Sequence, residues 1–304
     1  MTAETHHFAY GISTPAIAYT LSVIGSMLGL MCTSRARATE GTRRAGWLGL
    51  AAVAIGGTGI WAMHFIAMLG FKVSGAHLRY NVPLTLVSAL IAVGVVGVGL
   101  FTVGFGGARL APLLIGGVVT GLGVASMHYT GMAAMNMSGH LSYDAVLVVA
   151  SVVIAVGAAT AALWFTVRVR GRRATFGAAL IMGVAVCGMH YTGMAAMRVT
   201  LHSSDSHAPA GASAGDFLLP LIVGLGLLAT ILLVIVSLAP TEAELIDEAR
   251  QATRVPPEPS RGAVRSAYRD QQVPAPRAPL LLPHRPQPGR PRSDETRPRG
   301  DGTS

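Results

Sequence analysis

The sequence predicts an all-α membrane protein with seven transmembrane helices, built from three repeated two-helix units. Hydrophobic residues make up 51% of the chain and charged residues only 12%, which is typical of membrane proteins. Seven apolar stretches, each of about 20 residues, are long enough to cross a bilayer as helices. They cover residues 14–32, 46–69, 82–103, 110–135, 145–167, 175–197 and 217–239.

A repeated motif divides the hydrophobic region into three units. The nine residues Met-His-Tyr-Thr-Gly-Met-Ala-Ala-Met fill positions 127–135 and again 189–197, and a looser copy begins at Met63. The copies are separated by the length of two helices and their connections, which indicates one unit used three times after a first helix. Each motif ends the second, fourth or sixth helix, so all three are expected at the same depth.

The basic residues predict the orientation of the chain. The first stretch is interpreted as a true span, because the residues before it include Glu4 but no Lys or Arg and lack the basic start of a signal peptide. Arginines then gather after the first, third and fifth helices, which places the N-terminus outside, the C-terminus in the cytoplasm and the motifs near the outer face of the cytoplasmic membrane. The inner residues are Arg35, Arg37, Arg43, Arg44, Arg109, Arg168, Arg170, Arg172 and Arg173, and the outer ones are Lys72, Arg79 and Arg198.

Two regions are expected, a membrane domain over 1–240 and a cytoplasmic tail over 241–304. A capping-box pattern from Thr241 to Glu244 predicts a short helix, and the Pro- and Arg-rich remainder is expected to be disordered. The net charge of +9 falls on the inner face and the tail, where membrane lipid is the expected partner and nucleic acid is not expected. The spans hold no nucleophile with a base and no carboxylate pair, so the protein is not expected to be an enzyme.

Three histidines occupy matching places in the motif copies, and each has a methionine four residues later on the same helix face. The predicted metal ligands are His64, Met68, His128, Met132, His190 and Met194. A histidine within a membrane helix is costly to desolvate and marks a candidate site. Imidazole and thioether together suit copper, especially Cu(I). The alternative reading is that the methionines fill space in the core and that each histidine bonds to a nearby carbonyl.

Further motif residues are assigned supporting roles. Met135 and Met197 extend the predicted ligand stripe by one position in the two exact copies. The hydroxyls of Tyr129 and Tyr191 are candidates for fixing the imidazoles by hydrogen bonds, or else these rings belong to the interfacial aromatic belt. A glycine six residues before each motif, at Gly57, Gly121 and Gly183, is expected to let helices approach closely.

The chain resembles the MHYT family of bacterial integral-membrane sensor domains. The four letters stand at 127–130 and 189–192, and Phe65 and Ile66 replace the Tyr and Thr of the first copy. The resemblance implies a seven-helix domain that binds copper near the outer face and senses a diatomic gas, O2, CO or NO. Many relatives carry GGDEF, EAL or histidine-kinase output domains. This chain is read as a stand-alone member that passes its signal to a separate cytoplasmic signalling partner.

Two other functions remain open from the residues alone. The methionines could serve a metal-ion transport or loading protein, although Met182 is the one potential ligand deeper in the three motif helices. Two of the histidines could instead be axial ligands of a haem. The nature of the signal and the oligomeric state do not follow from the sequence.

Overall fold

The computed structural model describes residues 5–6, 8–74, 77–107, 109–137, 139–201 and 210–240, with Glu244 and Gln251. One compact unit, Met1–Thr253, contains all of them. Apart from those two single residues, the expected cytoplasmic tail at 241–304 lies outside the described residues.

Within the described part of the chain, seven helices are long and apolar enough to cross a membrane. The second crosses as one continuous stretch, Gly41–Leu69, which contains α2, a π-helical segment and α3. The elements are α1 Ser13–Arg37, α2 Gly41–Ala52, the π-helical segment Val53–Ala62, α3 Met63–Leu69, α4 Val82–Gly106, α5 Leu110–Ala133, α6 Ala145–Arg168, α7 Arg172–Ala195 and α8 Ala214–Leu238. The predicted all-helical class and the number of spans are confirmed.

Polar residues set the start of three of these helices. Asn81, Asp144 and Ser213 stand immediately before α4, α6 and α8, and the side chain of each accepts a hydrogen bond from a backbone N–H in the first turn. Such N-caps satisfy donors that have no partner within the helix. Each helix that follows a motif therefore begins at a defined residue.

Three short antiparallel sheets tie the connections together at one end of the bundle, which we call the motif end. The pairs are β1 Thr5–His6 with β2 Lys72–Val73, β3 Arg79–Tyr80 with β4 Met135–Asn136, and β5 Gly139–Tyr143 with β6 Met197–Leu201. These strands are not predicted by the sequence pattern. Met135 and Met197 lie in β4 and β6, so their predicted place on the helical ligand stripe is wrong. Helices α5 and α7 end at Ala133 and Ala195 instead.

Arginines organise the opposite end of the bundle, which we call the arginine end. Three guanidinium groups from the α1–α2 corner donate hydrogen bonds to carbonyls at the C-termini of α8, α6 and α4. The bonds join Arg35 to Val236 and Ala239, Arg37 to Thr166 and Val169, and Arg44 to Gly104. The last carbonyls of a helix lack partners within it and carry partial negative charge, so cationic donors stabilise them. One corner of the chain thereby holds the ends of three helices.

Small residues let the helices approach within backbone contact, as is common in membranes. A Cβ placed on a glycine would collide with the neighbouring helix wherever two helices are this close. That atom would be 2.3 Å from the N of Gly59 for Gly25, 2.4 Å from the Cα of Val156 for Gly121, and 2.8 Å from the Cγ2 of Val23 for Gly183. The expected close approach at Gly121 and Gly183 is present.

Gly57 does not make the close helix approach that was expected of it. A Cβ there would make an ordinary contact of 3.7 Å with Val93, whereas one on Gly56 would lie 2.7 Å from the carbonyl oxygen of Ala92. Both glycines belong to the π-helical segment. A π-helix holds an extra residue in its turn, so the face that packs is displaced by one position from the aligned sequence.

Candidate metal centre

Three histidines from three different helices meet near the motif end of the bundle. His64 lies in the second residue of α3, His128 near the end of α5 and His190 near the end of α7. Their exposed fractions are 1%, 0% and 1%. The repeat sets this arrangement, because the same residue on three helices that end together comes to the same level. The structure therefore brings together the three histidines that the sequence singled out.

The imidazoles face one another through their Nδ1 atoms. Nδ1 of His64 lies 3.0 Å from that of His190 and 3.1 Å from that of His128. The three ring centroids are 4.9 to 5.1 Å apart, and each pair of rings is steeply inclined. One ligand atom from each ring lies within 4.8 Å of the others. Three nitrogen donors thus share one small volume.

This spacing suits a single metal ion. Three imidazole nitrogens that bind one metal at about 2.0–2.1 Å are about 3.3–3.6 Å apart in tetrahedral or trigonal geometry. The two Nδ1 separations of 3.0 and 3.1 Å are a few tenths of an ångström shorter than that. A small outward movement of the rings would admit the ion. Without an ion, Nδ1 hydrogens can be shared between rings, with tautomers that the heavy atoms do not define.

The far sides of the His64 and His128 rings are held by packing. A Cβ added to Gly131 would lie 2.4 Å from Nε2 of His64, and one added to Gly193 would lie 2.3 Å from Nε2 of His128. Nε2 of His64 and of His128 is buried without a hydrogen-bond partner. Metal-binding histidines usually donate their second nitrogen to an acceptor, and here a glycine backbone fills that place. Neither glycine was predicted from the sequence as part of the site, although each stands three residues after a motif histidine.

An aromatic ring supports each imidazole edge-on. The ring that follows each histidine in the chain has its centroid 4.9 or 5.0 Å from the imidazole, in Phe65, Tyr129 and Tyr191. The hydroxyl of Tyr129 lies 2.7 Å from Oγ of Ser151, so it is not the imidazole partner that the sequence analysis suggested. Because Phe65 makes the same ring contact without a hydroxyl, the edge-on aromatic contact is the feature that the three copies share.

The three methionines stay close to this level of the membrane. Met68, Met132 and Met194 are 0%, 0% and 2% exposed, and each lies one helical turn beyond its histidine, about 6 Å along the axis. The side chains belong to the same hydrophobic core cluster. Their thioether sulfurs are therefore soft donors that neighbour the histidines on the side toward the motif end.

Comparison with known families explains the repeat. The family model described as MHYT, bacterial signalling protein N terminal repeat, matches three times, over residues 57–117, 121–179 and 183–246. The chain belongs to the MHYT family. Each match starts at the glycine six residues before a motif and includes one of the three histidines. No solved structure matches the chain significantly.

Several MHYT relatives are longer signalling proteins. MucR of Pseudomonas aeruginosa, named as a bifunctional diguanylate cyclase/cyclic di-GMP phosphodiesterase, is 38% identical over 72% of this chain and 33% of its own length. NbdA of the same organism, named as a cyclic di-GMP phosphodiesterase, is 43% identical over 46% of this chain and 19% of its own length. The signalling protein YkoW of Bacillus subtilis is 28% identical over 62% and 24%. The chain thus spans a third or less of these relatives.

Other histidines of the MHYT chain stand apart from the three. His6 and His140 are exposed in strands β1 and β5, and His202 and His207 lie outside the described residues. His77 lines a pocket of about 240 Å³ at the motif end, together with Tyr10, Lys72 and Met68. That pocket brings the surface of the protein to one of the three methionines.

Proposed function

We propose that this protein is a sensor that holds one copper ion between His64, His128 and His190 and detects a diatomic gas, O2, CO or NO. The observation that carries the proposal is the convergence of three buried Nδ1 atoms from three helices. Met68, Met132 and Met194 supply further soft ligands on the motif side. A gas would bind at a coordination position that the protein leaves open, as catalytic and sensory metal sites require.

The charge of the site favours Cu(I) among the metals. All proposed ligands are neutral, and no carboxylate belongs to the cluster of potential ligands found in the described part of the chain. The cost of transferring an ion from water into a low-dielectric interior rises with the square of its charge, so a monovalent ion costs about a quarter of a divalent one. Imidazole and thioether donors also prefer Cu(I) over hard cations.

The proposed orientation puts the motif end outside and the arginine end in the cytoplasm. Arg35 and Arg37 end α1, and Arg43 and Arg44 begin α2, as the positive-inside rule requires for a cytoplasmic corner. Membrane lipid is the partner of that surface. Cysteines placed at His140 and at Arg43, both exposed, form a matched pair for the test. An impermeant thiol reagent should label H140C in intact cells and R43C only after permeabilisation, and the reverse result would invert the topology.

The output of the sensor is proposed to act in the cytoplasm through a signalling partner. Ligand binding must favour one arrangement of the helices over another to transmit anything. The arginine end is where such a change would be read, because three helix ends meet one corner there. We propose no reaction for the membrane domain itself, and the cyclic di-GMP activities named for MucR and NbdA belong to those longer proteins.

Transport and haem binding are less well supported by the geometry. A carrier needs polar or soft ligands that continue through the membrane, but the cavity below the histidines is lined mainly by aliphatic side chains, and the soft donors of its lining are the two methionines Met182 and Met189. That cavity measures about 40 Å³, far too small for a porphyrin. The three rings also pack against one another, which leaves no space for a macrocycle between any two.

Metal analysis of the purified protein tests the proposal. The chain should be reconstituted in lipid nanodiscs, loaded with Cu(I) under reductant, desalted, and assayed for copper by mass spectrometry. We expect about one copper per chain for the unmodified protein and for the exposed-histidine control His140→Ala, and a loss of most copper in His128→Ala. Retention of equal copper by His128→Ala, or no retention by the unmodified protein, would overturn the proposal. An intense Soret absorption band would reveal haem instead.

A further inference from the structure

A small cavity lies inside the helix bundle. Its volume is about 40 Å³, and its walls include Ile60, Val124 and Val186. Each of these residues stands four positions before a histidine of the metal centre, at 64, 128 and 190. Residues four apart share one face of a helix. The cavity therefore lies directly beneath the three imidazoles, about one helical turn or 6 Å deeper.

The next layer confirms that the cavity follows the bundle axis. Thr120 and Met182 also line it, and both stand eight positions before their histidines. On the second span the lining residue is Ile55, which is nine positions before His64. The π-helical segment contains Ile55, and its extra residue explains the difference. The walls are thus built from matching positions of the three motif helices.

The lining indicates which molecules the cavity can hold. A buried water needs two to four polar partners. The hydroxyl-bearing residues of the lining are Ser26 and Thr120. Thr120 already donates its hydroxyl to the carbonyl of Val95 at 3.2 Å, and the other lining side chains are aliphatic or thioether, which leaves few polar partners for a water. An apolar cavity of roughly 150 Å³ stays dry and holds benzene, so a cavity of about 40 Å³ suits a molecule of two heavy atoms. The chemistry selects a small, uncharged, weakly polar ligand.

Access from the bilayer is short on one side. Ala158, Ala159 and Ala162 of α6 line the cavity and are only half-buried. Their neighbours Val153 and Ala161 are exposed on the same helix, so this helix separates the cavity from the acyl chains by little more than alanine methyl groups. Small apolar solutes concentrate in hydrocarbon rather than in water. Such a solute can approach the cavity laterally without crossing the polar motif end.

We propose that this cavity is a docking chamber for a diatomic, uncharged molecule, placed on the side of the three histidines opposite Met68, Met132 and Met194. It rests on the proposed function in one respect, since a molecule docked there is poised to reach an open position on a copper ion held by the imidazoles. The docking itself depends on the cavity alone. Selectivity follows from volume, because Ile60, Val124 and Val186 leave no room for larger solutes.

Dioxygen, which is paramagnetic, is the probe for the test. Metal-free protein with 13C-labelled Ile, Leu and Val methyl groups is placed in nanodiscs, and methyl relaxation is compared under oxygen and under argon. We expect the enhancement at Ile60 and Val124 to exceed that at Leu28, which is 4% exposed and does not line the cavity, by about threefold or more. Equal enhancement at all three methyl sites would overturn the proposal.

Matched variants locate the effect. Ala159→Leu should fill the chamber and remove the excess enhancement, whereas Ala161→Leu, two residues away on the exposed face, should leave it unchanged. If Ala159→Leu does not fold, Val124→Ala serves instead, because a larger chamber should increase the enhancement at Ile60. An enhancement that neither variant alters would contradict the chamber.

Copper retention, measured on a Cu(I)-loaded portion of the same preparation, separates this proposal from the preceding one. If oxygen docks in the cavity but the protein binds no copper, the result would support the docking chamber and contradict the proposal of a copper sensor. If the protein binds copper but shows no excess relaxation at Ile60 and Val124, the result would contradict the docking chamber and leave the proposal of a copper sensor unaffected.

Discussion

Gly131 of α5 forms the wall against which the imidazole of His64 rests, and a Cβ at Gly131 would fall 2.4 Å from Nε2 of that ring. The same relation holds between Gly193 of α7 and His128, at 2.3 Å. Each motif helix thus contributes a histidine to the centre and, in these two copies, a glycine that positions the histidine of the preceding copy. The glycine of the repeated motif therefore serves to position an imidazole of the metal centre.

Gly131→Ala should therefore displace the His64 ring from the centre. A contact of 2.4 Å forces the ring or the helix to move, and overpacking of this kind costs about 1–3 kcal/mol of stability. We expect copper retention to fall by at least half and the thermal unfolding midpoint in detergent to decrease. Gly188→Ala is the control, since a Cβ there meets nothing within 4 Å. Full copper retention by Gly131→Ala would show that the ring is not confined as described.

Tyr129 tests whether the ring or the hydroxyl supports His128. Tyr129→Phe keeps the edge-on contact at 5.0 Å and loses the bond to Ser151, so copper binding should change little. Tyr129→Ala removes the ring and should weaken copper binding by about tenfold or more, in the range found for residues that orient metal ligands. The measurement is a competition titration with a Cu(I) chelator. If the Phe and Ala variants lose affinity equally, the hydroxyl is the group that matters.

Arg35 should be far more important for stability than its neighbour Arg43. Arg35 is 5% exposed, and its guanidinium donates to the carbonyls of Val236 at 2.5 Å and Ala239 at 3.2 Å. A lysine cannot span two carbonyls in this way, so Arg35→Lys should destabilise the fold by about 1.5–3 kcal/mol. Arg43→Lys, at an exposed position, should have no effect. Equal unfolding midpoints for both variants would contradict the capping role.

Asp144 is expected to make a pH-dependent contribution to the stability of the folded protein. The backbone N–H groups of Leu147 and Val146, followed by the cation of Arg198 at 3.1 Å, favour the carboxylate and lower the pKa of Asp144. A lowered pKa in the folded state adds stability above the unfolded-state pKa of about 4, and this stability is lost as the pH falls through the folded-state value.

Thermal unfolding of three proteins across pH 7 to pH 2.5 checks this sign. The advantage of the unmodified protein over Asp144→Ala should shrink below about pH 4. Asp144→Asn keeps a capping oxygen without a charge, so its advantage over the alanine variant should not depend on pH. An undiminished advantage of the unmodified protein at pH 2.5 would contradict the role given to the carboxylate.

The sequence was sufficient for the parts of the fold that periodicity controls. Apolar runs placed the seven spans, and the matching positions of His64, His128 and His190 indicated that the three rings would converge. That inference worked because a repeat on helices that end together repeats position as well as sequence. The same reasoning failed for Met135 and Met197, since the end of a helix within a motif depends on strand pairing with distant loops.

Features that depend on long-range packing could not be read from the chain. The π-helical segment displaces Gly57 by one position relative to Gly121 and Gly183, and no local sequence pattern predicts the extra residue in its turn. The arginine caps join residues as far apart as Arg35 and Ala239, which composition shows only as a basic corner. The cavity beneath the histidines arises from how six spans fit together, so only coordinates reveal it.

The central claim is that imidazoles from three spans bind one copper ion, and X-ray absorption at the copper edge of the Cu(I)-loaded protein tests it most directly. The extended fine structure should show about three nitrogen scatterers near 2.0 Å with the multiple scattering of imidazole, and sulfur at a longer distance if methionine participates. Substitution of alanine for His64, His128 and His190 together should abolish this signal. A first shell without imidazole nitrogen, or one that survives the triple substitution, would contradict the account.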